Sequence, residues 1–465
     1  MTGVADDARM DAAVKDEDGF FATFLVSSWS PHLVRWAAAR RITPNQVTAV
    51  SNALTVAAAA AFATGVRPGL VIGAVLVQAA FVADCVDGQL ARYTGTGTPL
   101  GAWLDAVSDR AKELVIYAGI AVGGAQGGEP GIWLLASCAL ALLALRHQTD
   151  FAYAAQHGPD PGAPGAESGW TVGVTGQVGL AGVRTAATLE RSWLRWIKRI
   201  IVLPIGERFA LISITAAVAG PRTTFVALLG WGGVAAVYMV TGRILRSLAD
   251  ADGSGRIGSD DRRGGRGRGG EMTAALTSHR DDGPLARALG RLAPDRLPPV
   301  WTTVIGCTAL ANGLAVDGAR TSTSSAVGVG VFVLLGALSA GGRGHGHLRW
   351  AVPPLLHAGE YGTLIVLAWR TGMPPAAFAL LAAVAAHHYD LAYRRGPAPA
   401  PRPVDLLAGG WEGRTLALMV ASLAGLVGGV SLTLALWVAL LVVVSATQRV
   451  RALAQDGLTT HGRTP

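Results

Sequence analysis

Charged residues make up only 15% of this 465-residue chain, against about 25% in an ordinary soluble domain. Aromatic residues are also scarce, at 6%. So few charges exclude a soluble enzyme, and 51% hydrophobic residues exclude a disordered chain. Cysteine is rarer still. Cys85, Cys138 and Cys307 all lie inside apolar stretches, with no CxxC pair and no histidine at ligand spacing. That excludes a disulfide framework and a zinc site. Met1 to Asp18 is acidic and polar, unlike a cleavable signal peptide. What the chain has in quantity is Ala, Gly, Leu and Val, in apolar runs of about 20 residues that suit a hydrocarbon core of ~30 Å. The expected fold class is all-α, a polytopic helical membrane protein.

PHLVRWAAARR, from Pro31 to Arg41, sets Leu33, Val34, Trp36 and Ala37 against Arg35, Arg40 and Arg41, and reads as an amphipathic helix at headgroup level. Spans are expected near 47–64, 70–92, 100–124, 131–154, 209–220 and 223–245, the fifth short unless it begins near Leu203. The gaps on one side hold Arg67, Glu129 and Arg222 alone. The other side gathers Arg35, Arg40, Arg41, Arg92, Arg110, Arg191, Arg195, Lys198 and Arg199, which places it, with the N-terminus, in the cytoplasm. The net charge of +8 fits anionic headgroups and gives no evidence for nucleic acid. Six further spans follow, near 300–316, 322–340, 352–369, 374–394, 415–427 and 430–444. The expected division is therefore a polar N-terminal segment (1–29), a first transmembrane domain (30–247), a Gly/Arg/Asp-rich disordered linker (248–292), a second transmembrane domain (293–450) and a polar tail (451–465). Both termini then face the cytoplasm of a multi-pass protein in the cell membrane.

The chemistry concentrates in DCVDGQLARYTGTGTPLGAWLDAVSD, from Asp84 to Asp109. Asp84 and Asp87 are three apart and Asp105 and Asp109 four apart, so each pair shares a helical face, and the TGTGTP turn lets the two helices run antiparallel. Uncompensated, each aspartate at membrane depth costs ~2.5–3.5 kcal/mol, so something cationic must balance them. Oxygen ligands without His or Cys point to Mg²⁺ or Mn²⁺, one or two ions. Gly88 and Ala91 leave the helix surface open to a bulky group, and Arg92 can fork onto a phosphate. Metal, small residues and arginine together describe a pyrophosphate site and phosphoryl-type transfer.

Asp84-x2-Asp87-Gly88-x2-Ala91-Arg92-x8-Gly101-x3-Asp105-x3-Asp109 resembles, at all eight fixed positions, the signature of the CDP-alcohol phosphotransferases. The resemblance covers roughly residues 15–247 and extends to ITPNQVT, similar to the family's Pro-Asn-x-x-Thr motif at Pro44, Asn45 and Thr48. The opening KDEDGFF is similar to the transferase half of archaeal di-myo-inositol-phosphate-phosphate synthases. The resemblance implies that Asp84, Asp87, Asp105 and Asp109 hold the metals, and that Asp105 and Asp109 are catalytic, Asp109 as general base. It implies a CDP site at Gly88, Ala91, Arg92, Asn45 and Thr48, with Gly101 allowing close helix approach. The reaction implied is attack of an alcohol on the β-phosphorus of a CDP-alcohol, releasing CMP, with CDP-diacylglycerol and CDP-inositol both open as donors.

Arg110, Lys112, Arg146, His147, Lys198, Arg199 and Arg208 are candidates for an anionic acceptor such as inositol phosphate or glycerol phosphate. Snorkelling at the interface is the alternative for Lys198 and Arg199. Helix packing is the alternative for His147, and pairing with Asp150 for Arg146.

The second half echoes the first in order. Pro44 and Thr48 stand against Pro298 and Thr302, and Glu113 against Glu360. His147, Asp150 and Tyr153 stand against His387, Asp390 and Tyr393, and IGERFALISI against WEGRTLALMV. Val352 and Leu356 occupy the register of Asp105 and Asp109, and no DxxDG run lies near 330–345. The expectation is a degenerate copy that keeps helix-packing residues and lacks the metal carboxylates, with chance similarity in Ala/Leu/Gly-rich sequence as the alternative. A homodimer is one arrangement; an internal second half replacing the partner subunit is the other. A transporter or flippase of two related halves stays open as a different class. An Asp-rich prenyltransferase ranks lower, because it needs neither Gly88, Ala91 and Arg92 nor the 105/109 spacing.

Overall fold

The computed structural model describes residues 9–10, 12–13, 20–157, 200–253, 276–294, 297–316, 323–341, 346–393 and 403–461. These are helices and turns, with no strand among the described residues. Proline opens many of the helices, where its missing N–H costs nothing and its φ is already helical. After a short π-helical turn at Ala22–Val26 come α1 (Ser30–Ala39), α2 (Pro44–Ala63), α3 (Arg67–Thr94), α4 (Pro99–Gln126), α5 (Ile132–His157), α6 (Ile205–Ala219) and α7 (Pro221–Gly253). Then follow α8 (Pro284–Leu292), α9 (Pro299–Val316), α10 (Thr323–Leu338), α11 (Val352–Arg370), α12 (Pro374–Ala392), α13 (Pro403–Leu407), α14 (Gly410–Leu423) and α15 (Val427–His461).

Among the described residues, six helices are long and apolar enough to cross a membrane: α2, α3, α5, α7, α9 and α15. Their outward residues, such as Val71, Ile72 and Val75 on α3 and Val234 and Val237 on α7, are exposed and apolar, as lipid requires. The protein is an all-α, multi-pass membrane protein. Its fourth helix α4 is long enough to span but carries Asp105, Asp109, Arg110, Lys112 and Glu113 on its first half.

Contacts divide the chain into two compact units: the described residues within Met1–Ala139, Val174–Tyr238 and Val450–Pro465, and those within Leu140–Gly173 and Met239–Arg449. The division cuts α5 and α7, where the sequence places it in a linker. The reason is polar: Asp150 of α5 is ion-paired with Arg243 of α7, and Ser247 accepts the Trp350 indole N–H at 3.0 Å, all inside the second unit. Asp150, the partner considered for Arg146 from the spacing, is ion-paired with Arg243.

In the first unit α2 packs against α3 and α4, and α3 against α6. The α2–α4 approach depends on two glycines. A Cβ on Gly119 would lie 2.4 Å from the Ala59 carbonyl oxygen, and one on Gly123 2.1 Å from that of Phe62. Gly123→Val is expected to force α2 away from α4, lowering the melting temperature in detergent and disturbing any site the two helices share. An unchanged midpoint would show that the helices do not depend on this contact. On α1, Val34 and Ala37 are buried against Val86 and Leu90 of α3, while Leu33 and Trp36 face outward.

In the second unit α11 packs on α9, α12 and α14. Residues 276–292, read from composition as the end of a disordered linker, are ordered here, which corrects that expectation. The reason is a set of polar partners that composition does not show. Asp281 accepts from Arg414 at 2.7 Å, Asp282 accepts the Trp411 indole N–H at 2.9 Å, and Glu412 accepts the N–H groups of Gly283 and Ala286 at 3.0 Å each. Residues 254–275 lie outside the described residues.

Candidate active site

α3 carries Asp84, Asp87, Gly88, Ala91 and Arg92 on its last three turns and stops at Gly95. Gly95 has φ +67°, a left-handed conformation that closes a helix cheaply only without a Cβ. Thr98 then opens α4 by accepting the Gly101 N–H at 3.0 Å. The turn returns the chain antiparallel, and carboxylate oxygens of Asp84, Asp105 and Asp109 come within 4.8 Å of one another.

The start of α2 completes the site. Thr43 and Gln46 form a capping box, each side chain accepting the other's backbone N–H. One turn on, Thr48 donates its hydroxyl to Asp87 at 2.6 Å. Asn45 lies at Gly101: a Cβ there would come within 3.4 Å of Asn45 Oδ1 and 3.2 Å of Thr98 Oγ1. Asn52 donates to Ser108 Oγ at 3.0 Å, fixing α2 to the face of α4 beside Asp109. Arg92 donates its Nε–H to the Ala13 carbonyl at 2.7 Å and lays its guanidinium over Gly88, where a Cβ would touch Nη1 at 3.4 Å. A larger residue at 88 would push that guanidinium aside.

The charge balance is partly internal. Lys112, buried one turn past Asp109, is ion-paired with Asp84 and lies 3.4 Å from Asp109. An ammonium with three convergent carboxylates leaves an oxygen-only cluster of net negative charge, and that donor set fits a hard divalent cation. Lys112 was an acceptor candidate by sequence; the structure puts it among the carboxylates. The signal for this was the i,i+3 spacing of Asp109 and Lys112 on one helical face.

The remaining candidates separate. Arg110 and Arg208 converge on one buried carboxylate, Glu113, the first at 3.0 Å. Arg208 also donates to the Leu203 carbonyl at 3.2 Å, where the chain turns into α6 with φ +53° at Leu203. Arg146 and His147 belong to the second unit, His147 Nδ1 sharing a hydrogen bond with the Tyr389 hydroxyl at 2.9 Å. Lys198 and Arg199 lie outside the described residues.

Comparison with known proteins rests on the same stretch. Residues 41–164 match the CDP-alcohol phosphatidyltransferase family model. The chain carries a CDP-alcohol phosphatidyltransferase domain. This transferase domain is similar to a phosphatidylinositol phosphate synthase of Streptomyces avermitilis, 28% identical over 149 residues, which is 32% of this chain and 57% of that protein. It is similar to an archaetidylinositol phosphate synthase of Pyrococcus horikoshii, 39% identical over 83 residues, 18% of this chain and 43% of that protein. It is also similar to a bifunctional IPC transferase and DIPP synthase of Rubrobacter xylanophilus, 39% identical over 82 residues, 18% of each chain. The matched stretch thus spans about half the length of the first two relatives. Residues 270–459 match a family described as of unknown function, DUF5941.

Proposed function

We propose that the chain is a divalent-metal-dependent CDP-alcohol phosphotransferase. It would transfer the phosphoalcohol group of CDP-diacylglycerol or CDP-inositol to a hydroxyl of a phosphorylated alcohol of the inositol phosphate type and release CMP. The observation that carries this reading is the convergence of Asp84, Asp105 and Asp109 at the α3–α4 turn, with Asp87 keyed by Thr48. The relatives named as phosphatidylinositol phosphate and archaetidylinositol phosphate synthases support the acceptor class, and the arginine-rich loops support a site on the cytoplasmic side of the cell membrane.

Asp84, Asp87, Asp105 and Asp109 would hold Mg²⁺ or Mn²⁺, which when bound supplies charge neutralisation for the diphosphate. Arg92, seated over Gly88, would fork onto the diphosphate, and the missing side chain at Gly88 would leave room for it beside the helix. Asp109 would take the proton of the acceptor hydroxyl as its oxygen bonds to the β-phosphorus. The bond from that phosphorus to the bridging oxygen breaks, and the oxygen leaves with CMP. Arg110 and Arg208, both held by Glu113, would face the acceptor phosphate.

The test is CMP release by the purified protein with Mg²⁺ or Mn²⁺, with each donor set against inositol phosphate and glycerol phosphate. Acceptor-dependent CMP from one pair supports the reading. No CMP from any pair, with folded protein and bound metal, overturns it. Gly88→Leu is expected to raise the KM for the CDP-alcohol about tenfold or more by displacing Arg92; an unchanged KM would remove Arg92 from donor binding. Lys112→Met is expected to make the melting temperature more dependent on added Mg²⁺, since the carboxylates lose their internal cation. An identical response to EDTA in both proteins would show that Lys112 does not balance the cluster.

A further inference from the structure

The second unit repeats part of the polar frame of the first. Arg208 of α6 pairs with Glu113 of α4 and donates to the Leu203 carbonyl. Arg414 of α14 pairs with Glu360 of α11 at 2.5 Å and donates to the Ala408 carbonyl at 3.0 Å. Glu207 accepts the Phe21 N–H at the start of the π-helical turn, as Glu412 accepts those of Gly283 and Ala286 at the start of α8. Thr48 and Thr302 donate to the carbonyls of Pro44 and Pro298, at 3.1 and 2.9 Å. Counting back four and eight residues from the matched glutamates gives Asp109 and Asp105 in one unit, Leu356 and Val352 in the other.

The place of the acidic cluster is not simply filled with apolar side chains. Leu356 does pack at Gly336, beside the Trp411 ring. Next to it a half-open cavity of about 30 Å³ remains, lined by Arg280, Arg349, Ser339, Pro299 and Val352. Arg280 is locked in place: it donates to Asp282 at 2.7 Å, to Ser339 Oγ at 3.0 Å and to the Gly336 carbonyl at 2.9 Å. Arg349 is half-buried beside it and has no carboxylate partner among the described residues. Burial and the Arg280 charge both press the Arg349 guanidinium below its ordinary range. Two arginines with one aspartate leave an excess positive charge facing this space. Its volume holds about two oxygen-sized atoms, which suits one face of a phosphate and is too small for a nucleotide.

We propose that the cavity between Arg280 and Arg349 is a phosphate-binding site, in which built-in guanidinium groups stand where the first unit gathers carboxylates. The ligand is an oxyanion of a phosphate mono- or diester, free in solution or on a lipid headgroup. Arg280 sets the floor of the site and Arg349 supplies the unpaired donors. The site is independent of the transferase reading, because it stands on residues of the second unit alone.

The experiment uses the full chain in detergent with EDTA. Inorganic phosphate binding is measured by equilibrium dialysis, and retention of phosphatidylglycerol against phosphatidylcholine by native mass spectrometry. Saturable binding in the parent protein should weaken about tenfold or more in Arg349→Gln, with Arg349→Lys between them. The first unit is unchanged in all of these, so the difference reports the second. Phosphate affected alone assigns a soluble ligand, and phosphatidylglycerol affected assigns a headgroup. If Arg349→Gln lowers the melting temperature, Ala340→Leu, which narrows the cavity without altering charge, decides in its place. Equal binding of both probes by parent and variants, or saturable binding of neither, overturns the proposal.

Discussion

Asp109→Asn is expected to lower acceptor-dependent CMP release by about 10²–10⁴-fold, the range over which a positioned general base contributes. The amide keeps the size of the carboxylate, so the packing of α4 against α2, held by Asn52 and Ser108, should survive. Proton acceptance and one negative charge are lost together. The variant therefore needs a second reading that separates them. Asp84→Asn removes a negative charge at the Lys112 end of the cluster and leaves the Asp109 carboxylate itself in place. If the loss arises from base removal, Asp109→Asn activity should stay low at every metal concentration, while Asp84→Asn should recover in part as Mg²⁺ is raised. Activity within about fivefold of the parent for Asp109→Asn would remove it from the chemistry, since even a minor base contributes more.

The largest expected effect on stability lies in the second unit. Arg414 is almost fully buried and holds Glu360 at 2.5 Å, Asp281 at 2.7 Å and the Ala408 carbonyl. Replacing it with Met leaves two buried carboxylates without their cation, which costs about 3–5 kcal/mol for one broken pair. The melting midpoint in detergent should fall steeply, and adding Glu360→Gln and Asp281→Asn should restore part of it by removing the stranded charges. A fall equivalent to less than about 1 kcal/mol would mean that water or another cation reaches the site. Burial pushes the Asp281 carboxyl up, but Arg414 and the two histidines outweigh it and hold it well below the usual carboxylate range. The stability this adds is present above about pH 4, the ordinary value, and lost only as pH falls further towards the lowered one. The parent midpoint should therefore show no Asp281-linked fall between pH 7 and 5. Comparison with Asp281→Asn over that range isolates this contribution.

Much of the transferase domain was legible in the order of residues alone. Membrane spans depend on apolar length, and length is a property of sequence. The carboxylates converge because 84/87 and 105/109 are helical spacings on either side of a glycine turn that lets the helices fold back. Partner choice over long separations was not legible. That Arg208 meets Glu113 95 residues away, that Asp150 meets Arg243 93 residues away, and that Arg92 reaches Ala13 depend on how helices pack. The same holds for residues 276–292. Composition marked them as linker, yet their aspartates find Arg414 and Trp411 more than a hundred residues later.

By itself, then, the sequence determined what can be settled within one or two turns of chain. That covers an all-α membrane protein, the helix starts at proline, and one oxygen-rich cluster on an α3–α4 hairpin. The tertiary structure alone decided which cations balance which buried carboxylates, and that Arg280 and Arg349 line one cavity in the second unit. The physical reason is range. Helical periodicity and capping act over three or four residues, whereas a buried charge is satisfied by whatever packing brings within about 4 Å of it, at any distance along the chain.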